Sequence, residues 1–268
     1  MTTSYLDRGE GRIGYDVHGD GPLVLCVPGM GDLRSVYRFT VPALVEAGYR
    51  VATMDLRGHG DSDDGFSSYD DLALGADVRA LIAHLGGPAF VVGNSMGAGG
   101  AMLAAADTPA QVAGLALIGA FVRDPGFSPL LRLMQHLLLL KPWGPAAWQW
   151  HYRSLYPGRH PADLPEHQAR IRESLRRNNH WRSFVRTART NHEPVWQRLD
   201  DVHAPTLFVM GEKDPDFRDP AAEARYATER LNAELLLVPD AGHYPMTEYP
   251  EVVNPVLVSF IDKVFRRE

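Results

Sequence analysis

Short hydrophobic runs alternate with longer amphipathic segments through the first part of the chain. Short runs rich in Val, Ile and Leu are typical of buried strands, and the segments between them are typical of helices. The predicted strands are Ile13 to His18, Leu23 to Val27, Arg50 to Met54, Ala89 to Val92 and Val112 to Ile118. Strands that alternate with helices usually lie parallel, so this order predicts an α/β fold with a mostly parallel sheet.

The clearest helical pattern runs from Ser68 to Leu85. Its hydrophobic residues recur at helical spacing, and Asp70 and Asp71 place negative charge in the first turn. Ser68 is the predicted N-cap, because a serine hydroxyl can accept a free backbone N–H there.

The alternation stops after the strand that ends at Ile118. Residues 122–205 contain no convincing strand and are rich in Trp, Arg, Leu, His and Pro, which predicts a helical insertion. Strand patterns return in "APTLFVMG" and "AELLLVP", and an amphipathic helix closes the chain. We therefore expect one core formed by residues 1–121 and 206–268, interrupted by residues 122–205 after its sixth strand.

Composition excludes some classes of function. The formal net charge is −6, which provides no basic surplus for nucleic-acid binding. The single cysteine, Cys26, lies in a hydrophobic run and is expected to be buried, and no His or Cys cluster predicts a metal site. We find no signal peptide and no apolar stretch long enough to insert in a membrane, so we expect a cytoplasmic protein that needs no cofactor.

The segment "FVVGNSMGAGGAM" is the strongest chemical signal. It places Ser95 in a Gly-x-Ser-x-Gly motif between a predicted strand and a predicted helix. The glycines remove Cβ atoms where a tight turn is crowded, and the helix N-terminus favours negative charge beside the serine. A glycine-rich packing turn is the alternative interpretation.

A serine nucleophile needs a base and an acid that orients it. His243 follows the last predicted strand, and Asp214 follows the strand before it. Both are expected at the C-terminal edge of the sheet, where ligands bind in parallel sheets. Asp216 and Asp124 remain alternative acids.

Five motifs together resemble the α/β-hydrolase fold family over essentially the whole chain. They are "VPGMGD", "DLRGHGDSD", "GNSMG", "GEKD" and "AGHYPMTEYPE". The resemblance implies a triad of Ser95, Asp214 and His243, and an oxyanion hole formed by the backbone N–H groups of Met30 and Met96. His59, in the second motif, is expected to be structural.

The resemblance also implies that residues 122–205 form a cap above the catalytic edge. Its apolar surface could line the substrate pocket, although packing against the core is the favoured interpretation for any one of its residues. The candidate pocket residues are Met134, Leu137, Leu138, Trp143, Trp148 and Trp150. The arginines between positions 170 and 189 are expected to form a solvated face, or to bind an anionic substrate group.

The expected function is a serine hydrolase of the esterase class (EC 3.1). It would cleave a small, largely apolar ester, lactone or thioester through an acyl-enzyme. Carbon–carbon bond hydrolysis of a diketone is an alternative, because "GNSMG" also resembles the nucleophile turn of such enzymes. Perhydrolase or haloperoxidase activity uses the same triad, and a ligand-binding or signalling protein on a hydrolase scaffold is a hypothesis of another class.

Overall fold

The computed structural model describes residues 3–123, 134 and 137–266. Its core is one sheet of eight strands: β1 (Ser4–Asp7), β2 (Arg12–His18), β3 (Leu23–Val27), β4 (Arg50–Met54), β5 (Ala89–Asn94), β6 (Val112–Ile118), β7 (Thr206–Gly211) and β8 (Glu234–Val238). Their order in the sheet is β1-β2-β4-β3-β5-β6-β7-β8. The first two strands run antiparallel to their neighbours, and the other pairs are parallel.

Helices cover both faces of this sheet. Every residue of β3, β5 and β7 is buried, as expected for central strands of a parallel sheet. The helices of the core are α1 (Thr40–Glu46), α2 (Asp71–His84), α3 (Met96–Asp107), α8 (Pro220–Leu231), α9 (Pro245–Glu248) and α10 (Pro250–Phe265). None of the helices in the described part of the chain is long and apolar enough to cross a membrane.

The predicted strands and the mostly parallel sheet are confirmed, and Cys26 is buried. Strand β1 was not predicted, because only Leu6 of its four residues faces the core. The prediction of Ser68 as a helix N-cap was wrong. The side chain of Asp70 caps α2 by accepting the N–H of Ala73, and the Ser68 hydroxyl donates to Asp70 Oδ2 at 2.6 Å instead.

Between β6 and β7 the described residues form helices and no strand. These helices, which we call the inserted helices, are α4 (Gly144–Ser154), α5 (Leu164–Arg176), α6 (His180–Thr187) and α7 (Glu193–Gln197). They are joined to the core by a fully buried network in which Asp32 Oδ1 lies 2.7 Å from His167 Nε2 and Asp32 Oδ2 accepts the Tyr152 hydroxyl at 2.9 Å. Two arginines of the insertion also donate to core loops: Arg177, which follows α5, to the carbonyl of Gly60, and Arg186 to the carbonyl of Phe66.

Candidate active site

Ser95 lies at the turn where β5 passes directly into α3. Its backbone has φ 53° and ψ −121°, a conformation that residues with a side chain rarely adopt. The Ser95 N–H donates to the carbonyl of Ile118 at 2.8 Å, which fixes the turn against the end of β6. Strained turns of this kind typically present a side chain for chemistry.

Two glycines allow this turn to pack closely. A Cβ at Gly97 would lie 2.3 Å from the Val27 carbonyl oxygen and 2.5 Å from that of Pro28, and a Cβ at Gly93 would lie 2.5 Å from the Gly97 oxygen. These contacts are with backbone, which cannot move aside as a flexible side chain does. The Gly-x-Ser-x-Gly spacing therefore brings Ser95 against the loop that follows β3.

His243 and Asp214 form a buried pair at the C-terminal edge of the sheet. The Nδ1 of His243 lies 2.7 Å from Asp214 Oδ2, and the two residues are 2% and 1% exposed. The other Asp214 oxygen accepts the backbone N–H of Asp216 at 3.0 Å. Asp216 Oδ2 is farther from His243 Nδ1, at 3.7 Å, so Asp214 is the direct partner. Asp124, the third candidate acid, lies outside the described residues.

The charges around His243 favour its protonated form. Burial by itself lowers the pKa of His243, but the Asp214 carboxylate, its hydrogen bond and the Asp216 carboxylate raise that pKa to about 9. Burial raises the pKa of Asp216. Two carboxylates therefore stabilise the protonated form of the same imidazole.

Backbone contacts hold the serine turn and the histidine loop together. The Asn94 side-chain amide donates to the carbonyl of His243 at 3.2 Å and to that of Ile118 at 3.2 Å. The His243 N–H donates to the carbonyl of Leu155, at the end of α4. Among the described residues, no hydrogen bond joins Ser95 Oγ to the His243 ring, so proton transfer requires a closer approach, as is common without substrate.

The predicted oxyanion donors lie beside Ser95. Met30 and Met96 line the same cavity as the serine, and Met96 is the first residue of α3, where an N–H has no partner within the helix. Within the described ranges, neither amide donates to another protein group. Both N–H groups are available to an oxygen that carries negative charge.

His59 supports the loop that carries Met30. Its Nε2 accepts the N–H of Gly31 at 3.0 Å, and its Nδ1 lies 2.9 Å from the carbonyl oxygen of Arg57. Burial lowers its pKa to about 4, so the ring is neutral at pH 7. This geometry gives His59 the structural role expected from its motif.

The cavity beside Ser95 has a free volume of about 20 Å³. Both apolar and polar residues line it, and most of them were not predicted to lie at the site. Its lining residues are Met30, Asp71, Ser95, Met96, Gly99, Phe121, His192 and Val195. In the sequence, Asp71 has the pattern of a helix first-turn charge and His192 is an isolated histidine in a polar segment, so neither carries a motif.

The pocket residues expected in the insertion do not line this cavity. Met134, Leu137, Leu138 and Trp143 are each about half exposed, and Trp150 is more exposed still. Trp148 is buried, but it packs on Phe184 and its indole N–H points to the carbonyl of Gly31. Trp148 therefore packs within the insertion and contacts the core at Gly31, as the packing interpretation expects.

Among the residues that the structure describes, one group of side chains places possible metal ligands close together. One ligand atom from each of Asp214, Asp216 and His243 lies within 4.8 Å of the others. A metal here would occupy the His243 nitrogen that faces Asp214, and the ring would lose the hydrogen bond that orients it. The geometry fits a proton-transfer pair better than a metal site.

Comparison with known proteins identifies the family. A model of the "Alpha/beta hydrolase family" matches residues 24–256. The 2-hydroxy-6-oxononadienedioate/2-hydroxy-6-oxononatrienedioate hydrolase 2 of Pseudomonas putida is 30% identical over 272 residues, which cover 96% of this chain and 90% of that protein. The 2-(acetamidomethylene)succinate hydrolase of Mesorhizobium japonicum is 29% identical over 273 residues, with 94% and 93% covered. An esterase structure from Exiguobacterium antarcticum has the same fold, with a TM-score of 0.83 at 22% identity, and the match covers 97% of this chain and 100% of that one. The chain therefore belongs to the alpha/beta hydrolase family.

Proposed function

We propose that this protein is a serine hydrolase that cleaves a small, largely apolar ester, lactone or thioester. The observation that supports it best is the buried 2.7 Å contact between His243 and Asp214 at the sheet edge where the strained turn presents Ser95. Ser95 attacks the carbonyl carbon, and His243 takes its proton and returns it to the leaving group. Asp214 orients the imidazole, and the amides of Met30 and Met96 stabilise the oxyanion.

The structure supports a short acyl group in this reaction. The free volume beside Ser95 is small, and Met30, Met96, Phe121 and Val195 give it an apolar lining. The inserted helices would act as a cap over this site, since the carbonyl of Leu155 holds the His243 backbone. Water then enters to hydrolyse the acyl-enzyme.

The test is reaction with a fluorophosphonate probe, followed by mass mapping of the labelled peptide. We expect labelling at Ser95, no labelling of Ser95→Ala, and hydrolysis of p-nitrophenyl acetate and butyrate faster than of the octanoate. Loss of the nucleophile should reduce kcat by about 10⁴-fold or more. Full turnover by a folded Ser95→Ala protein would contradict the mechanism.

Carbon–carbon bond hydrolysis is the second candidate. It is favoured by the Pseudomonas putida relative, whose name specifies an oxo-dienedioate substrate and which aligns over nearly the whole chain. Loss of the absorbance of a 2-hydroxy-6-oxo-dienoate would measure it directly. If the protein consumes this substrate and leaves butyrate esters intact, the second candidate replaces the first.

A further inference from the structure

A second histidine–carboxylate pair lies in the cavity that contains Ser95. The Nδ1 of His192 is 2.7 Å from Asp71 Oδ2. Asp71 is the first residue of α2 and is 1% exposed, and His192 immediately precedes α7. Neither residue takes part in the mechanism proposed above, although both line the cavity.

The second carboxylate oxygen of Asp71 has no partner. Asp71 Oδ1 is buried and accepts no hydrogen bond from the described residues, and none of their Lys or Arg side chains forms an ion pair with Asp71. A buried carboxylate oxygen without a donor is unfavourable, and such atoms are rare unless a ligand or water satisfies them.

The position of this oxygen places it close to the reaction site. A Cβ at Gly99 would lie 3.4 Å from Asp71 Oδ1, so the oxygen faces the beginning of α3, one helical turn beyond Ser95. The Phe121 ring stacks on His192 with 6.5 Å between ring centroids, and it lies 6.5 Å from the His243 ring as well. A substrate bound at Ser95 is therefore near both histidine–carboxylate pairs.

We propose that Asp71, oriented by His192, is a specificity-determining residue that accepts a hydrogen bond from a hydroxyl or N–H group of an uncharged substrate. This inference rests on the proposed function, and it narrows the substrate class to short acyl compounds that carry a donor near the scissile carbonyl. A donor group satisfies Asp71 Oδ1, whereas a substrate carboxylate at the same place meets a like charge with little water to screen it. The contact therefore selects hydroxyacyl or amidoacyl substrates against anionic ones.

Binding to Ser95→Ala tests this contact without any turnover. NMR titration would give Kd for methyl butyrate, its 2-hydroxy and 3-hydroxy derivatives, and monomethyl succinate. We expect at least one hydroxy ester to bind about 10-fold more tightly than methyl butyrate, since hydrogen bonds to charged groups are strong, and monomethyl succinate to bind most weakly. In Ser95→Ala/Asp71→Asn, the hydroxyl preference should disappear and the affinity for monomethyl succinate should rise. If Asp71 had only a structural role, the substitution would not weaken binding of the hydroxy ester and at the same time strengthen binding of monomethyl succinate.

Two His192 variants provide a matched control on the same background. His192→Asn keeps an N–H donor near the position of Nδ1 and should retain the hydroxyl preference, whereas His192→Leu should lose it. If circular dichroism shows that Asp71→Asn does not fold, the two His192 variants still test whether the hydroxyl preference depends on the orientation of Asp71.

The proposed hydrogen bond to Asp71 would be refuted if hydroxy and parent esters bound Ser95→Ala equally well. It would also be refuted if the preference for hydroxy esters survived both Asp71→Asn and His192→Leu. Failure of the hydrolase proposal gives a different result. Unlabelled Ser95 in the protein with its native serine, together with an intact hydroxyl preference, would refute the hydrolase and support the contact.

Discussion

Asp216→Asn should lower the pH at which the active-site base becomes available. The substitution removes a negative charge whose oxygen lies 3.7 Å from His243 Nδ1 and leaves the direct Asp214 contact at 2.7 Å in place. Because a nearby negative charge stabilises imidazolium, its loss must lower the pKa of His243, which is about 9 in the intact site.

The separation sets the size of the effect. Two unit charges 3.7 Å apart interact by about 1 kcal/mol at the dielectric constant of water and by about 4.5 kcal/mol at an effective value of about 20. About 1.4 kcal/mol corresponds to a change of 1 in pKa. The Asp216 side chain is 23% exposed, which favours the lower end of this range, so we expect the pKa to fall by about 1.

The assay is the second-order rate of inactivation by a fluorophosphonate between pH 6 and 10. Ser95 reacts when His243 is unprotonated, so the rate should rise with pH, with a midpoint near the pKa of His243. The midpoint should be lower in Asp216→Asn. Asp20→Asn is the matched control, because it removes the same charge from an exposed loop that leads into the opposite end of β3. An unchanged or higher midpoint in Asp216→Asn would refute the role assigned to this carboxylate.

Three further substitutions test the support of the site. Gly97→Ala places a Cβ 2.3 Å from a backbone oxygen and should lower the free energy of unfolding, measured by denaturant titration, by about 3 kcal/mol. Gly65→Ala is the control, because the atom nearest to its added Cβ is 3.3 Å away, and it should change this free energy little. His59→Gln should reduce the acid sensitivity of stability: the folded pKa of His59 is about 4 against an ordinary 6.5, so wild-type stability falls as pH drops from 6.5 toward 4, by up to about 3 kcal/mol from this residue. Equal slopes of unfolding free energy against pH in the two proteins would contradict this. Asp32→Ala leaves His167 and Tyr152 without their buried partner and should lower the free energy of unfolding, measured by calorimetry, by about 3 to 5 kcal/mol. A decrease of less than about 1 kcal/mol would show that this network does not join the inserted helices to the core.

Hydrophobic patterns over a few residues were sufficient to predict the order of most strands and helices. Buried strands such as β3 and β5 show as hydrophobic runs, because a strand covered on both faces needs apolar side chains at every position. The edge strand β1 has one inward-facing residue and gives no such signal. At the start of α2, Ser68 and Asp70 are both suitable caps, and only the backbone path decides which side chain reaches a free N–H.

The serine turn and the candidate base His243 could be predicted from the sequence, whereas the choice of Asp214 over Asp216 needed the distances in the structure. Glycines two residues on either side of Ser95 are a local steric requirement, and the ends of parallel strands bring Asp214 and His243 to one edge. The residues that surround Ser95, by contrast, could be found only in the folded protein. Asp71 and His192 are separated by 121 residues, and they meet because α7, one of the inserted helices, packs on α2 and α3. Met134 and Trp143, which were expected to line the pocket, are about half exposed. Local patterns record what each segment buries, whereas the contents of a cavity depend on how distant segments pack together.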